Sequence, residues 1–110
     1  MTHLTIYGLP TCDTCKKARR ALQDAGYDVG FRDVRADPLS DAEWAPLLAE
    51  FGDRLVNRQS TTYRGFSDWM KASEADAQLR EHPAVMKRPV IARDGRLWLG
   101  WDEDVQRDLL

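Results

Sequence analysis

Apolar and polar positions change period twice along the first part of the chain. Leu4–Tyr7 is a run of β-branched and aromatic residues that halts at Gly8 and Pro10, which predicts a short first strand. From Asp13 the period lengthens. Ala18, Ala21, Leu22 and Ala25 share one side of a helix, while Lys16, Lys17, Arg19, Arg20 and Asp24 cover the rest. Gly26 stands where such a helix stops. Val29, Phe31 and Val34 then predict a second strand, with Asp33 and Arg35 alternating outward.

The middle of the chain reads as helical. Asp37-Pro38 marks a turn, and Ser40 with Glu43 has the capping-box spacing for a helix to about Phe51, closed by Gly52. Leu55–Thr62 is polar and irregular. A weaker helical pattern covers about Ser67–Glu81 until His82-Pro83 breaks it. Val90–Ala92 and Leu97–Leu99 flank Asp94-Gly95, a strong hairpin signal, and Asp102–Leu110 predicts a last helix with Val105, Leu109 and Leu110 inward. A βαβ half followed by a ββα half implies an α/β, thioredoxin-like fold: a mixed sheet with a helical insertion at about residues 38–82.

Composition narrows the function more than the fold. The chain has 110 residues, enough for one domain. Its 16 basic and 18 acidic residues give a net charge of −2, so nothing pulls it as a whole toward nucleic acid or acidic membranes. No apolar run approaches the roughly 18–20 residues that cross a bilayer. The N-terminal Met-Thr-His-Leu-Thr-Ile-Tyr is too short and too polar for a secretory signal. The expectation is a cytoplasmic monomer without metal, bound cofactor or direct contact with nucleic acid.

The two cysteines, Cys12 and Cys15, carry the candidate chemistry. A disulfide between them would close so small a loop that it constrains little, which argues against a structural staple. Zinc takes about four ligands, and only His3 and His82 are left to add. Both histidines, and Trp44 and Trp69, read as structural. Inert buried thiols are the remaining bland reading. Against it stands the location of Cys12, where a strand hands over to a helix. Only the thiolate is nucleophilic, and the N–H groups and dipole of a helix N-terminus favour it. Lys16, one turn on, adds positive field, and Cys15 is placed to attack a mixed disulfide formed on Cys12.

The run Ile6-Tyr7-Gly8-Leu9-Pro10-Thr11-Cys12-Asp13-Thr14-Cys15-Lys16-Lys17-Ala18-Arg19 resembles the ArsC family, which holds glutaredoxin-linked arsenate reductases, Spx regulators and YffB-like proteins. Arg58, His82-Pro83, Lys87-Arg88-Pro89 and Leu99-Gly100-Trp101-Asp102 extend the likeness over nearly the whole chain. Tyr7-Gly8, Thr61-Thr62-Tyr63-Arg64 and Leu99-Gly100-Trp101 place it nearest the YffB-like branch. The resemblance implies Cys12 as nucleophile, Arg58 and Arg88 (with Lys16) as binders of an anionic substrate, and a cis Pro89 beside the thiol. It further implies glutathione as co-substrate and glutaredoxin as a protein partner. One departure matters. The arsenate reductases carry a third arginine in the last hairpin, where this chain has Leu97-Trp98-Leu99-Gly100-Trp101. That shifts the expected activity from arsenate toward glutathione-linked thiols. The alternative is a Spx-like regulator that binds RNA polymerase through a Cys12–Cys15 switch, although the basic C-terminal extension of Spx has no counterpart after Asp108-Leu109-Leu110.

Overall fold

A computed structural model describes all 110 residues. In chain order the elements are β1 (His3–Gly8), α1 (Asp13–Asp24), β2 (Asp28–Asp33), α2 (Asp41–Phe51), α3 (Thr61–Arg64), α4 (Asp68–Lys71), α5 (Ala75–Glu81), β3 (Val90–Arg93), β4 (Arg96–Leu99) and α6 (Glu103–Leu109). Short 3-10 turns occupy Gly52–Leu55 and Pro83–Val85. The chain separates into two compact units. Met1–Val34 with Arg88–Leu110 forms the first, and Arg35–Lys87 the second, a wider insertion than the sequence suggests.

The first unit is a four-stranded mixed sheet in the order β2-β1-β3-β4. β1 runs parallel to β2 and antiparallel to β3, and β3 and β4 form the expected hairpin. Register explains the core. Ile6 lies opposite both Phe31 and Ile91, and Ile91 opposite Trp98, so one face of the sheet is apolar across all four strands. Ala18 and Leu22 of α1, and Val105 and Leu109 of α6, pack on Leu4, Ile6, Ile91 and Trp98. The hairpin turns on Asp94 and Gly95, whose φ values of 51° and 79° fit the turn that Asp-Gly favours. Two expectations shift here. The second strand stops at Asp33; Val34 is buried, and its N–H donates to the Gly8 carbonyl as the chain turns away. Leu110 is exposed rather than inward.

The second unit opens as the sequence predicts. The Ser40 hydroxyl accepts from the Glu43 N–H, and the Glu43 carboxylate accepts from the Ser40 N–H, closing the capping box of α2. Beyond Gly52 the unit is more ordered and more broken than its pattern suggests. Ser60 and Ser67 each cap a single helical turn, and the one helix expected over 67–81 is two, α4 and α5. Gln78 fastens that break. Its side-chain amide, buried on α5, donates to the carbonyls of Met70 (2.9 Å) and Lys71 (3.4 Å) at the end of α4. Gln78→Leu removes both of these bonds, and we expect a loss of about 1–3 kcal/mol in urea unfolding. Trp69 does not pack; it is 82% exposed. His82 lies with its ring 4.9 Å from that of Phe66, and His3 pairs with Asp28 at the surface.

Candidate active site at the cysteine turn

β1 ends at Gly8, and Leu9–Cys12 folds into a turn closed by the Cys12 N–H donating to the Leu9 carbonyl (3.1 Å). Cys12 thereby becomes the N-cap of α1. Its backbone is extended, and its sulfur accepts the Cys15 backbone N–H at 3.4 Å. A cap position normally filled by Ser or Asp oxygen is filled by sulfur, which meets the unsatisfied N–H groups where negative charge is favoured. Both thiols are free; Cys12 is partly exposed and Cys15 wholly buried.

Burial alone would raise the Cys12 pKa. The Cys15 N–H, the Cys15 thiol and the side chain and charge of Arg88 outweigh it, and the net shift is downward. Cys15 moves the other way. Burial pushes it up to about 12, helped by the neighbouring Cys12 sulfur and opposed by a bond with the Leu9 backbone and by Arg88. The pair is therefore divided into one thiol whose ionisation is favoured and one that is held protonated.

The split has a signature in stability. An unfolded cysteine ionises near about 8.5. Above that pH the unfolded chain gives up a proton that folded Cys15 keeps to about pH 12. Stability falls as the pH rises through this window, by about 1.4 kcal/mol per pH unit. Cys12 has the opposite sign: its contribution is complete above the unfolded pKa and disappears as pH falls through its lowered folded value. Unfolding midpoints of wild type and Cys15→Ala should diverge from about pH 9 upward, with wild type losing more.

Gly8 makes the niche for Cys15. A methyl added there would lie 2.5 Å from the Cys15 Sγ but 3.5 Å from its Cβ. Gly8→Ala should cost about 1–3 kcal/mol from overpacking, and adding Cys15→Ala should remove most of that penalty. A thermal-melt double-mutant cycle reads this directly. Sequence reasoning saw Gly8 as the end of a strand and missed its contact with the thiol.

Arg88 and Pro89 enter the same unit just before β3. The Arg88–Pro89 peptide is cis, Pro89 is buried, and its carbonyl accepts the Gly100 N–H at 2.7 Å. Val90 lies opposite both Tyr7 and Leu99, so this loop and the Leu99-Gly100 turn share the end of the sheet that carries Gly8. The hairpin arginines occupy the other end. Arg93 donates to the Tyr27 hydroxyl and stacks on Trp98, and Arg96 stacks on the same ring and pairs with Asp108. Neither stands in for the arginine that Leu97–Trp101 lacks. Lys16 is exposed, its N–H closing the first turn of α1 on the Cys12 carbonyl, and the charge that bears on the Cys12 sulfur is that of Arg88. Arg58 belongs to the second unit. It sits exposed on a turn and, with Arg54, Lys87 and Asp53, lines an open hollow of about 630 Å³.

These features define a protein of thioredoxin-like fold whose first helix begins at an activated cysteine. The chain belongs to the ArsC family, whose model matches residues 7–109. It is similar to the solved structure of a YffB protein (TM-score 0.87, 30% identity, covering 97% of this chain and 98% of that one). An arsenate reductase (ArsC)-related protein from Brucella melitensis is also similar, with a TM-score of 0.75 and 33% identity over 98% of this chain and 93% of that one. The global transcriptional regulator Spx 2 of Lactococcus lactis is 32% identical over 114 residues, covering 97% of this chain and 86% of the regulator. No helix is long and apolar enough to cross a membrane.

Proposed function

We propose that the protein is a cytoplasmic, glutathione-linked thiol reductase with Cys12 as nucleophile. The observation that carries this reading is the Cys12 sulfur at the start of α1, bonded by the Cys15 N–H and acted on by Arg88. Cys12 thiolate attacks the glutathionyl sulfur of a mixed disulfide. A new S–S bond forms on Cys12, the old one breaks, and the substrate leaves as its thiolate with the bonding pair. A second glutathione thiolate attacks the Cys12 adduct, releasing oxidised glutathione and restoring the Cys12 thiolate, so glutathione supplies both electrons. Lys16, one turn from Cys12, holds an anionic group of the substrate, and taken by itself the Arg58 hollow has the cations to suit a carboxylate. Cys15, buried and protonated, donates to the Cys12 sulfur and is the optional member of the pair.

Steady-state assays test the reading. Glutathione-dependent turnover of a small glutathione mixed disulfide is expected, with little arsenate reduction because Leu97–Trp101 offers no arginine. Cys15→Ser should retain activity. Absence of turnover with either substrate overturns the reading. The similarity to a Spx regulator and the two free cysteines of this chain favour a second one, a redox-sensing regulator. Capture of RNA polymerase by one redox form of the protein and not the other would select it.

A further inference from the structure

α1 carries more charge than its fold requires. Cys15, Ala18 and Leu22 turn its buried face to the sheet, and Lys16, Lys17, Arg19 and Arg20 lie exposed in the turns that follow Cys12. Four of the 16 cations of the chain thus fall within five positions of a protein whose net charge is −2. Elsewhere three arginines are held in ion pairs, Arg80 with Asp41 and Asp76, Arg96 with Asp108 and Arg107 with Asp104, while Arg54, Arg58 and Arg64 are scattered along the chain without one. On α1 the spacings Asp13–Lys17 and Arg20–Asp24 would allow helical ion pairs, yet none of the four cations is in one. Only Arg19 has a marked partner, its guanidinium 5.2 Å from the centre of the Phe31 ring.

We propose that this face of α1 is a docking surface for an acidic face of the protein whose disulfide Cys12 attacks. Cations outside any ion pair begin one residue beyond the cysteine pair, on the helix that Cys12 caps, and an acidic partner complements them there. Such a surface steers an anionic partner and orients its disulfide toward the thiolate, raising the association rate at low salt. The proposal rests on Cys12 being the attacking group, and it names the partner's chemistry.

The test uses two synthetic peptides, each bearing one cysteine capped by thionitrobenzoate, one with several glutamates and the other with glutamines in their place. Cys12 attacks the peptide sulfur, and the S–S bond to the cap breaks with the electron pair leaving on the coloured thionitrobenzoate. This single-turnover reaction needs no glutathione. The wild-type protein should react about tenfold faster with the acidic peptide at low salt, with the advantage collapsing at high salt. Lys17→Glu combined with Arg20→Glu, both at exposed positions, should abolish the preference and leave the glutamine peptide unaffected. Equal rates for the two peptides in wild type, or a preference that survives the charge reversal, overturns the docking surface. A wild-type preference for the acidic peptide that the charge reversal abolishes, without glutathione-dependent turnover, would instead overturn the reductase reading and leave the docking surface standing.

Discussion

Cys12→Ser should lower the rate of disulfide exchange by at least about a thousandfold, while the same change at Cys15 leaves most of it. Both parts of the expectation come from geometry. Serine at position 12 can still accept the Cys15 N–H and cap α1, so the fold is preserved. A hydroxyl in that position does not ionise near neutral pH, and the nucleophile is lost. Cys15 has no exposed surface, and burial keeps it protonated to about pH 12, so it cannot replace Cys12. Circular dichroism on both variants separates loss of chemistry from loss of fold. Comparable activity of Cys12→Ser and wild type would contradict the assignment.

Arg88→Gln should have the second-largest effect, and the effect should depend on pH. The Arg88 side chain and its charge act on the Cys12 sulfur and favour its ionised form. A hydrogen bond from a charged donor is worth about 1.5–3 kcal/mol, so alkylation of Cys12 at mildly acidic pH should slow by about 10–100-fold. The direction follows from the sign of the shift. Wild-type Cys12 ionises below the ordinary thiol range, and the variant must reach a higher pH to present the same thiolate fraction. At strongly alkaline pH both are ionised and their rates should converge. Arg88→Lys restores the charge without the planar fork of donors and should recover only part of the loss. A rate difference that is constant across pH would instead assign Arg88 to substrate contact.

The parts of the fold legible in the sequence are those encoded within a few residues. The Ser40–Glu43 capping box, the Asp94-Gly95 turn and the apolar stripe of α1 each specify an element locally, and each formed as read. Residues 55–81 were opaque for a physical reason. Helices of one turn show no apolar period, and they are set by serine caps and by the Gln78 amide, a buried polar group that hydropathy places on the surface. At the site, the residue types were visible and the division of labour was not. The Cys-Asp-Thr-Cys spacing cannot say which sulfur is capped by an N–H and which is buried against Gly8. Nor can it say that Arg88 acts on the thiol while Arg96 is spent on Trp98 and Asp108 at the far end of the hairpin.

The central claim is that the fold lowers the pKa of one cysteine of the pair and raises that of the other. Ultraviolet titration of thiolate absorbance in the reduced protein, repeated with Cys12→Ser and Cys15→Ser, measures this directly. The account predicts one ionisation below the ordinary thiol value of about 8.5, lost in Cys12→Ser and kept in Cys15→Ser. It predicts a second only in strong alkali, near 12, lost in Cys15→Ser. Two cysteines titrating together near the ordinary value, or a low pKa that follows Cys15, would contradict it.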